Sequence, residues 1–263
     1  MRLYWEVARR SFRRYSTYRA ATFAGVFTNS VFGFIQAYIL LAIFRTRPAI
    51  HGLDASAAVT YAFASQGFLA MMGAFGALEL SERIRTGDVV SDLYRPVDLQ
   101  RYWLANDMGR AGFQALARGL PPFLVGGLAF HLRVPTDPAV WAAFALCTTI
   151  GVAVSFAFRF VVSLSTFWLL DERGPTQLAS VIALFFSGFI LPLNLFPDGI
   201  RPLARALPWA SYVQLPIEVF LGQHRGGAVL GVVAQQTAWL AVLLLAGRVV
   251  LAAATRKVVV QGG

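Results

Sequence analysis

AATFAGVFTNSVFGFIQAYILLAIF, Ala20–Phe44, contains no charged side chain. Wound as a helix rising about 1.5 Å per residue, it is long enough to cross the roughly 30 Å of hydrocarbon in a bilayer. Comparable blocks follow at Val59–Leu80, Gly112–Phe130, Ala139–Leu170, Gln177–Phe196 and Ala228–Ala253. The 263-residue chain is 57% hydrophobic and 14% charged with mean hydropathy +0.60, which removes it from the soluble globular class. These features predict an all-α membrane protein with six transmembrane helices, built as a single membrane domain over residues 1–263. The fourth block is longer than one crossing needs, so it is expected to tilt or to project beyond the headgroups.

Ahead of the first block, residues 1–19 carry Arg2, Arg9, Arg10, Arg13, Arg14 and Arg19. Arginines at this density interrupt any short apolar core, so the segment does not read as a cleaved targeting signal. Leu3, Trp5, Ala8, Phe12 and Tyr15 recur mostly three or four apart, which predicts an amphipathic helix lying in the headgroup layer. A basic solvated tail is the plainer alternative, and either one meets anionic lipid.

Orientation follows from the retention of Lys and Arg in short cytoplasmic loops. With the N-terminus inside, thirteen basic residues fall on the cytoplasmic side against six on the other. Both termini are therefore expected in the cytoplasm. The net charge of +10 then points to membrane lipids as partners and gives no support to nucleic-acid binding. Cys147 is the only cysteine, which excludes an intrachain disulfide.

Between the second and third blocks lies SERIRTGDVVSDLYRPV, Ser81–Val97, within a connector reaching about Ala111. Glu79, Glu82 and Arg83 are expected to continue the second helix outward, and Gly87-Asp88 to break it. Val89, Val90, Leu93 and Tyr94 then give an amphipathic turn before Pro96. A short cytoplasmic helix of this kind suits docking, although a structured loop that merely connects two spans fits as well. Between the fifth and sixth blocks, residues 197–227 carry four prolines within about twenty positions, which rules out one continuous helix. Short external helices that partly re-enter the outer leaflet are predicted there, or a surface loop anchored by aromatics.

Two motifs carry a family resemblance. Glu82–Val97, ERIRTGDVVSDLYRPV, and Gly188–Gly222, GFILPLNLFPDGIRPLARALPWASYVQLPIEVFLG, resemble segments of the permease subunit of ATP-binding cassette exporters of the ABC type-2 class. With the six-block plan, the likeness covers essentially the whole chain. It implies a coupling helix within residues 81–103, in which Glu82, Arg83, Gly87, Asp88, Val89, Val90, Leu93 and Arg95 meet a separately encoded ATPase. It also implies two ATPase copies holding ATP and Mg, a second permease chain, identical or similar, and location in the bacterial inner membrane. Pro192, Phe196, Pro197, Pro208, Trp209 and Pro216 would form an external gate.

Polar residues within apolar blocks are further candidates, because each ionised group at membrane depth costs about 2.5–3.5 kcal/mol on insertion scales. Asp107, Arg110, Gln114 and Arg118 fall within an arc of about 80° on one helix face. They are expected to line a pathway or a subunit interface, unless the helix enters obliquely with snorkelling arginines. Thr22, Asn29 and Gln36 form a second seam suited to interhelical hydrogen bonds. Arg159 and Arg248 are read as snorkelling from near the cytoplasmic ends.

Catalytic chemistry finds little footing. There is no GxxxxGK[ST] phosphate loop, and Ser187 lacks the glycine two positions before it. His51, His131 and His224 share no ligand spacing. No catalytic residue, metal site or cofactor is therefore assigned to this chain. The resulting reading is a non-enzymatic permease that forms an export pathway as a dimer. A secondary transporter or a non-transporting assembly subunit is the alternative.

Overall fold

A computed structural model describes residues 2–73, 78–169 and 173–256. Parts of the second and fourth expected spans, at residues 74–77 and at Leu170, lie outside the described residues, as does Lys257 of the charge tally. Among the described residues the only sheet is a two-stranded hairpin, β1 (Ala49–Ile50) with β2 (Leu53–Asp54). Everything else regular is helical.

Helix α1 (Arg2–Ser16) precedes α2 (Arg19–Phe44), and α3 (Ala55–Met71) follows the hairpin. Two short helices, α4 (Glu79–Thr86) and α5 (Val89–Leu93), lead to α6 (Leu99–Gln114). A π-helical turn, Ala115–Gly119, joins α6 to α7 (Leu120–Ala129), making one interrupted rod. Next come α8 (Pro138–Leu164), α9 (Thr166–Leu169) and α10 (Arg173–Phe186). The chain finishes with α11 (Arg201–Ala206), α12 (Gln214–Phe220) and α13 (Gly227–Thr255). Aspartates cap three of the long helices: Asp54 accepts from the Ala57 amide, Asp98 from Arg101 and Asp137 from Ala139, at 2.8–2.9 Å.

Among the described residues, three helices are long and apolar enough to cross a membrane: Arg19–Phe44, Pro138–Leu169 and Gly227–Thr255. The other three blocks depart from simple spans. α3 ends at Met71, and Gly73 turns with φ +62°, so Glu79 begins a separate helix and does not extend the second block. The third block is the C-terminal half of the α6–α7 rod, interrupted by the π turn. The fifth gives only the 14 residues of α10, about 21 Å long, followed by a reversal at Gly188 (φ +86°).

Packing relies on small residues that let backbones approach. A Cβ on Gly67 of α3 would lie 2.7 Å from the Gly119 Cα on the π turn, so these two elements touch backbone to backbone. α2 and α3 run antiparallel, with Asn29 opposite Gln66 and Gly33 opposite Phe63. α8 and α13 run in the same direction, since Gln236 reaches the Cys147 carbonyl at 3.0 Å while Gly247 abuts Phe160. The amphipathic α1 docks across α6. Ser11 donates to Asn106 at 3.0 Å, and Phe12 meets Phe113 edge to face at 5.6 Å. Leu3 and Trp5 stay exposed on the outer side of α1.

Candidate functional site

The C-terminal end of α3 leaves carbonyl groups without helical partners. Arg110 of α6 takes two of them, donating to Ala70 O at 2.7 Å and Met71 O at 2.6 Å. Ser155 of α8 takes the Met72 carbonyl at 2.9 Å. Asp107, fully buried, ties the two donor helices together: it accepts from Arg110 at 2.8 Å and from Arg159 at 2.6 Å. Arg159 is therefore a largely covered member of an ion cluster, which corrects its assignment to snorkelling. Burial forces this outcome, because a guanidinium deep between helices needs a carboxylate within reach. Arg248, by contrast, is exposed.

The cluster forms one wall of a cavity of about 500 Å³. Asp107, Arg110, Gln114 and Arg118 all line it, although the π turn alters the helical phase between the last two. A π turn places its side chains off the regular α-helical register, and here it presents Arg118. Asn29 also lines the cavity and donates to the Gln66 carbonyl at 3.2 Å. Gln36 lies apart from the lining. It donates to Phe189 O at 2.7 Å and accepts from Ser65 and Gln66. Thr22, the third residue of that seam, bonds only within its own helix, to Tyr18 O.

Leu78 and Glu79 line the same cavity and start α4. Glu79 accepts from Arg14 of α1 at 2.8 Å, and this hydrogen bond raises the Arg14 pKa above its ordinary value. Beyond α4, Gly87 adopts the left-handed conformation at φ +84°, which suits glycine, and reverses the chain into α5. Arg83 spans this corner. It donates to Asp92 at 2.6 Å and also to the Asp88 carbonyl and Ser91. The hydrogen bond to Asp92 holds its guanidinium above the usual pKa against a lowering by burial. Arg95 adds a second contact to Asp92 at 3.4 Å, and Arg85 pairs with Glu82.

This geometry changes the part expected of one valine. Val89 is buried against Leu78, Leu99, Trp103 and Phe160 in the chain's own core, so it is not available to fill a partner's groove. Leu93 packs at the edge of the same core. Val90 is half-buried, while Glu82, Gly87, Asp88, Tyr94 and Arg95 are exposed.

A family model described as ABC-2 family transporter protein matches residues 31–262. The chain belongs to that family. It is accordingly a membrane permease of an ABC transporter, and the family implies pairing with an ATP-binding cassette ATPase. No curated protein matches the sequence.

Toward the far end of α3 from the cavity, the ABC-2 permease carries a second buried polar network, which its sequence did not announce. Gln214 accepts from Tyr61 at 2.8 Å and from the Leu193 amide at 2.9 Å, and donates to Glu218 at 2.8 Å. Glu218 also takes both arms of Arg205, at 2.6 and 2.7 Å, and His224 at 3.0 Å. The available signal was one acidic residue inside the apolar run of α12. Of the expected gate residues, Pro192, Phe196, Pro208 and Pro216 are buried, Trp209 is half-buried and Pro197 is exposed. Together with α12, buried along its whole length, they form a plug of short helices wedged into the bundle. The hairpin closes over it, with His51 reaching the Asn194 carbonyl at 2.9 Å.

Proposed function

We propose that this ABC-2 permease forms the substrate pathway of an exporter, working as a pair of permease chains driven by two copies of a separate ATPase. ATP and Mg bind on the ATPase, and this chain contributes no catalytic residue. The observation that carries the reading is the double role of Leu78–Glu79. These residues wall the charged cavity and also begin the α4–Gly87–α5 unit, which Arg83 and Asp92 brace into one body. A push on the exposed rim of that unit therefore moves the cavity wall directly. The family supplies the partner that pushes.

Six crossings remain the topology that best fits the chain. α2 and α3 run antiparallel, as do α3 and the α6–α7 rod, and α8 and α13 share a direction as the fourth and sixth of an alternating series would. α10 supplies the fifth crossing, its 14 residues covering about 21 Å before the chain turns at Gly188. The basic-residue bias puts both termini and the α4–α5 corner in the cytoplasm of a bacterial cell, and the short-helix plug at the outer face. Six helices leave little room for a sealed path within one chain, which favours two permeases face to face.

The test is purification in mild detergent together with the candidate ATPase. Co-elution, two permeases per particle by native mass spectrometry, and turnover that requires this chain are the expected results. A chain that transports without any ATPase would overturn the proposal in favour of secondary transport.

A further inference from the structure

The charges facing the 500 Å³ cavity do not balance. Arg110, Arg118 and Arg159 bring three positive charges, and Asp107 brings one negative charge that is shared between Arg110 and Arg159. Glu79 at the rim is already engaged by Arg14. Among the described residues, two positive charges are left over in a half-open site. Arg118 carries the excess most plainly: its buried Nε has no hydrogen-bond partner among the described residues, nor has the buried Oε1 of Gln114, one helical turn before it. The guanidinium lies against Gly25 of α2, where even a methyl group would collide with it. The rest of the wall is mixed: Thr28, Asn29, Gln66 and Asn106 are polar, while Phe32, Leu69 and Phe189 supply apolar surface. Phe32 on α2 is 56% exposed, so the cavity runs from the arginines to the outer surface of the bundle.

We propose that this cavity binds an amphipathic molecule with an oxyanion head group, phosphate or carboxylate, its head on Arg118 and its tail leaving past Phe32. A guanidinium fork matches an oxyanion in geometry as well as charge, and Gln114 accepts a hydrogen bond from a hydroxyl or protonated oxygen of the same head. Phe32, Leu69 and Phe189 take the tail, and the opening beside Phe32 on α2 allows entry from the bilayer. The inference rests on the exporter reading for the head group's role as cargo. The binding itself does not depend on an ATPase.

Binding is measured first on the purified chain in a neutral maltoside detergent, by native mass spectrometry with dodecyl phosphate, dodecyltrimethylammonium and inorganic phosphate as probes. Dodecyl phosphate should bind at least tenfold more tightly than either of the others. Arg118→Gln should weaken it about tenfold, Arg118→Lys less, and Arg248→Gln, an exposed arginine elsewhere, not at all. Unchanged melting temperature and elution volume would show that Arg118→Gln folds. Equal binding of the cationic amphipath, equal binding of inorganic phosphate, or an unaltered affinity in Arg118→Gln would each overturn the proposal. A co-purifying anionic phospholipid that Arg118→Gln loses would support the site with a resident lipid as its source. Stimulation of ATPase turnover by dodecyl phosphate would support it with cargo as the source. Loss of the ATPase partnership with dodecyl phosphate binding intact would sink the exporter reading alone.

Discussion

Asp107 on α6 and Arg159 on α8 lie 52 positions apart in sequence and meet at 2.6 Å inside the bundle. The same carboxylate holds Arg110, which closes the end of α3, so one acidic residue fixes three helices. Asp107→Asn leaves two guanidinium groups buried without a counter-charge and should cost about 3–5 kcal/mol. Adding Arg159→Gln should return part of that loss. Thermal unfolding in detergent of both single variants and the double checks this, and simple additivity would mean that the two residues act independently.

The two adjacent valines of α5 should separate by phenotype. Val89→Asp puts an unpaired charge into the core formed with Trp103 and Phe160, so it should lower the melting temperature of the isolated chain. Val90→Asp changes a half-buried side chain outside that core and should lower melting less than Val89→Asp while abolishing ATPase co-purification. Tyr94→Ala, removing a side chain 74% exposed, should also weaken capture. Capture of the ATPase by Val90→Asp at wild-type level would remove α5 from the docking surface.

The membrane class and the apolar blocks could be read from sequence because a bilayer forces long uncharged runs, and α2, α8 and α13 followed them closely. The interrupted elements were not legible in the same way. Nothing in the composition of Gly112–Phe130 distinguishes a regular helix from one with a π turn, and the break after Phe186 depends on how Gly188 packs against Tyr61 and Gln214. The stripe from Asp107 to Arg118 was legible because helical spacing survives most distortions. Its partner Arg159 was not, since pairing across 52 positions is decided by which faces of α6 and α8 meet. Val89 and Val90 looked equivalent for the same reason, until the fold turned one of them inward.

Glu218 is 1% exposed and receives hydrogen bonds from Arg205, Gln214 and His224. Glu218→Gln keeps the shape but leaves Arg205 facing a neutral amide, and should destabilise the chain by about 3 kcal/mol. Tyr61→Phe, which removes one hydroxyl from the same network, should cost about 1 kcal/mol. Melting of the two variants provides the comparison. A Glu218→Gln chain as stable as wild type would show that the plug is held by its apolar contacts alone.

Transmission through the α4–α5 corner is a separate matter from docking, and the Arg83–Asp92 pair isolates it. Asp92 is buried and Arg83 largely covered, so the contact braces two short helices joined through Gly87-Asp88. A charged hydrogen bond of this kind contributes about 1.5–3 kcal/mol, enough to hold the corner but small against insertion of the whole bundle. Arg83→Met should therefore insert and bind the ATPase through Val90 and Tyr94, yet pass on less of its movement, because a loose corner absorbs displacement before it reaches Leu78 and Glu79. The expected signature is normal co-purification and basal ATP hydrolysis, with transport per ATP reduced several-fold in proteoliposomes. Gly87→Val should give the same signature by straining the left-handed turn. If either variant transports with wild-type efficiency while bound to its ATPase, the corner is not the route by which force reaches the cavity.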